Sequence, residues 1–260
     1  MTDDEKYFFD LNGYLVLRDL IDADTLRRCH VAIDHYDDQI EVNERRLEGD
    51  SKALASDVRQ RWSEDLVTWE RPYCEPFRQL MIHPRLKPYL HELMGAYHMI
   101  SRPRLVLMDK GCAGHYLHGG PLQRLPFSHT YAWKFGKIYN SLTLVEFPLA
   151  DEGPGDGGFA VIPGGHKANY PIPQAFAYCE AFQDEVVEVN VRAGDVVIFA
   201  EATIHGTLPW RAEHQRRTLI YPYAPRYQAR VSSIYEVSYP SYVQDMTSEQ
   251  QTVLRPPGLA

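Results

Sequence analysis

Through the first hundred residues the apolar positions recur mostly at helical spacing. Residues 3–10 read as a short helix stopped by the turn pair Asn12-Gly13. Tyr14-Leu15-Val16-Leu17 is then apolar throughout, as a buried strand is. Asp22 or Asp24 can cap a helix from about 23 to 42, because a short carboxylate there satisfies open amides of the first turn. Leu26, Cys29, Ile33, Tyr36 and Ile40 step by three and four and so share one face. Residues 41–70 lose that rhythm. Glu41, Glu44, Arg45, Arg46, Glu48, Asp50 and Lys52 crowd charge into them, which predicts a solvated helix, with a lid loop as the alternative. From Pro76 to Gly95 the spacing of Phe77, Leu80, Met81, Leu86, Tyr89, Leu90 and Leu93 predicts helices on a core. Pro84 and Pro88 cut that stretch, since proline lacks the amide a helix interior needs.

After residue 100 short extended runs alternate with turn signals. Arg104–Met108, Ile138–Leu149, Phe159–Ile162, Val186–Val191, Val196–Phe199 and Thr218–Tyr223 read as strands. Asp109-Lys110-Gly111, the glycine-rich stretch 151–158 and Pro163-Gly164-Gly165 separate them. This texture predicts a mainly β fold with flanking helices, a double-stranded β-helix of the jelly-roll, cupin-like kind. A single domain over 1–260 is expected. A helical buttress would span about 1–100, a jelly-roll core about 101–225 and a C-terminal extension 226–260.

Composition narrows the partners. A formal charge of −8 argues against a nucleic-acid polymer, whose phosphates need clustered Lys and Arg. Cys29, Cys74, Cys112 and Cys179 are scattered without a Cys-x-x-Cys pair, which fits reduced thiols better than a disulfide frame or zinc site. The start Met-Thr-Asp-Asp-Glu-Lys is acidic where a signal peptide would be basic, and no apolar run is long enough to span a bilayer. A cytoplasmic protein with no membrane partner is expected.

The chemistry lies in histidines. His118, within His115-Tyr116-Leu117-His118-Gly119-Gly120-Pro121, and the distant His205 offer imidazoles suited to a divalent metal. His115 competes with His118 through the His-x-x-His spacing; His166 reads as closing a turn, and His98, His129 and His214 have no special case. In an extended segment Arg216, Thr218 and Ile220 share a face and Arg217 points away, placing one arginine fork inside for a carboxylate. Thr207 and Asn140 are further candidate donors to such a ligand. No Gly-x-Ser-x-Gly elbow supports a hydrolase.

Phe8–Leu17, Asp156–Lys167, Gly194–Phe199 and His205-Gly206, in this order, make the chain resemble the phytanoyl-CoA dioxygenase family of iron(II)/2-oxoglutarate oxygenases. The resemblance implies iron at one open end of the jelly roll, held by His118 and His205. It also implies that Arg216 grips the distal carboxylate of 2-oxoglutarate, with dioxygen as the other cosubstrate. Most of that family carries an acid two residues after the first histidine; here Gly120 stands there. In this the chain resembles the iron/2-oxoglutarate halogenases, in which a halide occupies the vacated position. Gly120 is accordingly a candidate chloride site, and chlorination of an unactivated C–H of a small molecule the expected reaction. A hydroxylase or other oxygenase is the alternative, with Glu201 or Glu146 supplying the acid or with water completing the iron site; a non-catalytic binding module is the second. Tyr116, Phe127, Tyr131, Trp133, Phe135 and Tyr139 would suit a flat ring. Lys167, Arg102, Arg104, Arg124 and Lys134 would suit an anion, which admits a nucleoside or nucleotide.

Overall fold

Thr2 and Glu5 cap the first helix reciprocally, and Gly13 ends it. The fold that follows is given by a computed structural model, which describes residues 1–120, 130–228 and 241–255. The helices are α1 (Asp3–Asn12), α2 (Ala23–His35), α3 (Glu75–Leu80), α4 (Lys87–Met94), α5 (Gln174–Ala177) and α6 (Ser248–Leu254). The first strands are β1 (Tyr14–Leu17), β2 (Glu41–Val42), β3 (Arg61–Ser63), β4 (Tyr97–Met99), β5 (Arg104–Met108), β6 (His115–His118) and β7 (Tyr131–Lys134). There follow β8 (Lys137–Asn140), β9 (Thr143–Pro148), β10 (Gly158–Ile162), β11 (Val187–Glu188), β12 (Val196–Ala200), β13 (Ile204–Leu208) and β14 (Arg216–Pro225).

A large antiparallel sheet runs β1-β12-β9-β14-β5-β3-β2, with β4 also on β14; a smaller one runs β11-β10-β13-β6. The hairpin β7-β8 stands apart. This is the expected mainly β jelly roll with flanking helices. Alternation along the large sheet divides its two faces. Val145, Phe147, Leu105, Leu107, Leu219, Tyr221 and Tyr223 join the core made with α2, α3 and α4. The Tyr221 and Tyr223 hydroxyls donate to the Phe77 and Met81 carbonyls, each at 3.0 Å, fixing α3 to β14. The other face turns inward, where Val197, Phe199, Phe159 and Val161 pack between the sheets.

Three expectations change. The helix from 23 stops at His35, and Tyr36 and Ile40 stay buried in the same core while the exposed turn Asp37–Gln39 leads the chain into β2. Apolar spacing therefore located the buried face but not the helix end. The charged stretch 41–70 is no helix: it supplies β2 and β3 to the sheet edge, and Glu48, 1% exposed, collects Arg59 at 2.7 Å and Arg46 at 3.2 Å. Its charges are partly internal, which a charge count cannot register. The expected strand 138–149 breaks at Ser141, whose hydroxyl accepts from the Thr130 amide at 2.9 Å, so β8 pairs back on β7 while β9 enters the large sheet.

Candidate metal centre

β6 and β13 are neighbours in the small sheet, with His118 opposite His205 and His115 opposite Thr207. Three steps on β6 thus match two on β13, a bulge that swings both β6 histidines towards the interior. The ring centroids lie 4.3 Å apart for His118 and His205, and 4.4 Å for His115 and His118. His118 Nδ1 lies 3.1 Å from the Tyr116 carbonyl and His205 Nδ1 2.7 Å from the Thr203 carbonyl. A carbonyl only accepts, so Nδ1 carries the proton in both rings and Nε2 is the nitrogen able to bind a metal.

The third member comes from the turn between β12 and β13. That turn is pinned by Glu201 N donating to Leu142 O at 2.9 Å and Thr203 Oγ1 donating to Gly13 O at 2.9 Å. It presents Glu201 so that ligand atoms of His118, Glu201 and His205 all lie within 4.8 Å of one another. The glycine pair after His118 lets the end of β6 press onto this turn. A Cβ on Gly119 would sit 2.4 Å from the Thr203 carbonyl oxygen, and Gly120 N donates to Ala202 O at 2.7 Å. A Cβ on Gly120 would meet Ile204 Cγ1 at 3.5 Å. Ile204 packs with Leu54, Leu117 and Cys179 on the face of the small sheet opposite His205. The nearest neighbours of such a Cβ, Ile204 and then the Gly165 carbonyl oxygen at 4.0 Å, belong to none of the three clustered residues.

These residues open on a cavity of about 440 Å³ between the sheets. Arg216, 3% exposed, lines it from β14, while Arg217 turns outward to Asp34 at 2.7 Å. Arg216 Nη2 lies 2.5 Å from Glu146 Oε1, and its Nε 2.9 Å from Glu152 Oε2 in an ion-pair contact that is not an aligned hydrogen bond. Glu146 is thus a partner of the arginine rather than a member of the histidine cluster. Burial pushes its carboxyl up to about 7; Glu152 repulsion acts in the same direction and Arg216 opposes it. Burial and the neighbouring His118 hold His115 down at about 3, and its ring lines the cavity outside the three-residue cluster. Thr207 lines the cavity too. Asn140 does not: it is buried elsewhere, its Nδ2 donating to Thr143 Oγ1 at 2.7 Å. His166 is buried in the turn after β10, bonded to the Asp10 carbonyl at 3.0 Å.

The outer wall was poorly legible in the sequence. It uses Asn43, Arg45, Gln60, Trp62 and Glu64 from the charged stretch, together with Arg102 and Arg104. Arg104 stacks 4.9 Å over the Trp62 ring and binds Glu64 at 2.7 Å. Trp62, set among charges, was the available signal. Of the aromatic candidates, Tyr131 is half-buried against His166 and Tyr116, Trp133, Phe135 and Tyr139 are exposed, none lining the cavity. Lys167 pairs with Asp10, and Lys134 lies on the β7-β8 hairpin away from the cavity. Phe127, Arg124 and His129 lie outside the described residues.

A double-stranded β-helix with two histidines, a carboxylate and a buried arginine around one interior cavity is the architecture of non-haem iron/2-oxoglutarate enzymes. The chain belongs to the phytanoyl-CoA dioxygenase (PhyH) family, whose profile matches residues 9–218. Among curated proteins none matches the sequence. Among solved structures it is similar to HygX from Streptomyces hygroscopicus with nickel, 2-oxoglutarate and hygromycin B bound. The identity is 22% over 88% of this chain and 89% of that one, with a TM-score of 0.70. It is also similar to the α-ketoglutarate-dependent epimerase SnoN from nogalamycin biosynthesis, at 14% identity over 90% and 86% of the chains and a TM-score of 0.63. The carbocyclase SnoK from the same biosynthesis matches at 15% identity over 87% and 85%, with a TM-score of 0.62. At these identities the likeness describes a shared fold. Among the described residues no helix is long and apolar enough to cross a membrane.

Proposed function

We propose that this chain is an iron(II)/2-oxoglutarate-dependent oxygenase that oxidises a C–H bond of a small molecule. His118, Glu201 and His205 are its iron ligands and Arg216 the anchor for the distal carboxylate of the cosubstrate. The observation that carries this reading is the convergence of two imidazoles and one carboxylate within 4.8 Å, in a cavity that also holds a buried guanidinium. Two imidazole nitrogens with one carboxylate oxygen suit divalent iron and leave positions open for a chelating cosubstrate and dioxygen.

Iron and 2-oxoglutarate, when bound, supply the oxidising chemistry. The chain's residues bind and orient. The Tyr116 and Thr203 carbonyls hold the two imidazole planes. Arg216 offers a planar donor fork to a carboxylate, and Thr207 a hydroxyl on the same cavity. Leu144, Phe159, Phe199 and Ile220 keep the inner wall apolar. Trp62, Arg45, Arg102 and Arg104 at the outer wall meet the substrate. A cavity of about 440 Å³ shared with a cosubstrate admits a small molecule. Trp62 beside the three arginines keeps a nucleoside or nucleotide among the candidates.

A halogenase is the second reading, and the missing acid at position 120 is what favours it. It needs chloride on the iron in place of Glu201 or beside it, whereas Glu201 already stands with the histidines. An anaerobic titration of Fe(II) and 2-oxoglutarate, with and without chloride, separates the two through the metal-to-cosubstrate absorption band. The oxygenase reading expects a band insensitive to chloride. It also expects iron affinity to fall by at least about tenfold in Glu201→Ala, since even outer-shell partners of ligands contribute about 10–100-fold. Aerobic turnover should release succinate. A band that shifts with chloride and survives Glu201→Ala would make the halogenase the better reading. No iron binding, and no succinate over a broad substrate screen, would leave a binding module.

A further inference from the structure

Arg216 is already engaged by two carboxylates. Its Nε faces Glu152 at 2.9 Å and its Nη2 faces Glu146 at 2.5 Å, while Nη1 lies 3.7 Å from Met108 Sδ. The two acids are not equivalent. Glu152 is built into the structure behind the arginine: Thr218 Oγ1 donates to it at 2.9 Å, and a Cβ on Gly158 would fall 2.4 Å from its Oε2. Glu146 instead lines the cavity. On β12 the residues flanking it are Val197 and Phe199, which carry no charge. On β14 it faces Ile220 and Arg216. Further along, Arg104 of β5 is held by Glu64. His115, His205 and Glu201 share the cavity from the small sheet and the β12-β13 turn. The buried cluster thus holds one cation and two acids before any ligand enters.

A third carboxylate on the same guanidinium would bring the cluster to two net negative charges in a site screened from water, a large desolvation and repulsion cost. We propose that Glu146 is a cosubstrate-binding residue that takes one proton from solvent as 2-oxoglutarate binds. Its carboxylic acid O–H then donates to the distal carboxylate, and both groups share Arg216. The inference rests on the proposed assignment of Arg216 as the anchor. Burial gives Glu146 a proton affinity near neutrality, so the uptake requires no extreme condition. No bond other than O–H forms, and the charge of the incoming carboxylate is offset by that proton.

The test is calorimetry of 2-oxoglutarate binding to the Ni(II)-loaded protein at pH 8, in buffers of differing ionisation enthalpy. Uptake approaching one proton per cosubstrate is expected, with affinity falling up to tenfold per pH unit above about 7. In Glu146→Gln the amide can still donate but cannot titrate. That variant should bind with no uptake and a flat pH profile. Binding by the wild-type protein without proton uptake overturns the proposal and leaves the function standing, whatever the variant does. The same uptake in wild type and Glu146→Gln also overturns it. If 2-oxoglutarate fails to bind the Ni(II)-loaded wild-type protein at both pH 6 and pH 8, the assignment of Arg216 falls and the proposal with it.

Discussion

Placing a carboxylate at position 120 separates the two ways of completing the iron site. Gly120 sits at φ +80, and an added Cβ would meet Ile204 at 3.5 and 3.7 Å, ordinary contact distances. Gly120→Asp therefore carries a backbone cost without a clash. The left-handed conformation costs a residue with a Cβ about 1–2 kcal/mol, and aspartate tolerates it better than most. At roughly 2–4 °C per kcal/mol for a chain of about this size, the midpoint of thermal unfolding should fall by about 2–8 °C. Iron affinity should stay unchanged, because the new side chain starts on the Ile204 face and His205 on the opposite one. The decisive protein is Gly120→Asp combined with Glu201→Ala. It should bind iron no better than Glu201→Ala alone, measured by anaerobic titration and bound-metal analysis. Recovery of iron binding to near the wild-type level would show that position 120 reaches the metal, refuting the assignment of the ligand position to Glu201.

Gly119→Ala should be worse than any change at Gly120, at about 3 kcal/mol or more, because its Cβ would sit 2.4 Å from a backbone oxygen of the Glu201 turn. Iron binding should fall along with thermal stability; a variant that loses stability but keeps full iron affinity would contradict the packing role. Arg216→Met leaves Glu146 and Glu152 buried without their cation, a loss of about 3–5 kcal/mol in denaturant unfolding. It should also abolish cosubstrate binding, and tight 2-oxoglutarate binding by a folded Arg216→Met would remove the anchor assignment. Burial lowers His166 from 6.5 to about 4, so the unfolded chain binds more protons between those values and stability falls as pH drops through that window. The contribution is on the order of 3 kcal/mol. A conservative His166→Gln should flatten that acid limb in pH-dependent unfolding, and an unchanged limb would assign it to other groups.

Local signals were the legible ones. The strands β1, β5 and β12 follow from apolar runs bounded by turn residues. Arg216 inside and Arg217 outside follow from the two-residue period of a strand, which holds wherever one face is buried. His118 and His205 were legible as metal candidates because each sits in a short recognisable stretch. What the sequence could not carry is which side chains a fold brings together across long separations. Glu201 was one of two candidate acids until the β12-β13 turn set it beside His118, 83 residues earlier by number. Glu146 was a rival ligand until the register of β9 on β14 placed it on Arg216. The charges of 41–70 read as solvated because sequence records charge and not its partner, and that partner is frequently distant in the chain. Gly120 shows the division most clearly. Its lack of a side chain is a fact of sequence, but whether a side chain there would face iron or Ile204 depends on a backbone direction. Only the packing of β6 against the neighbouring turn sets that direction.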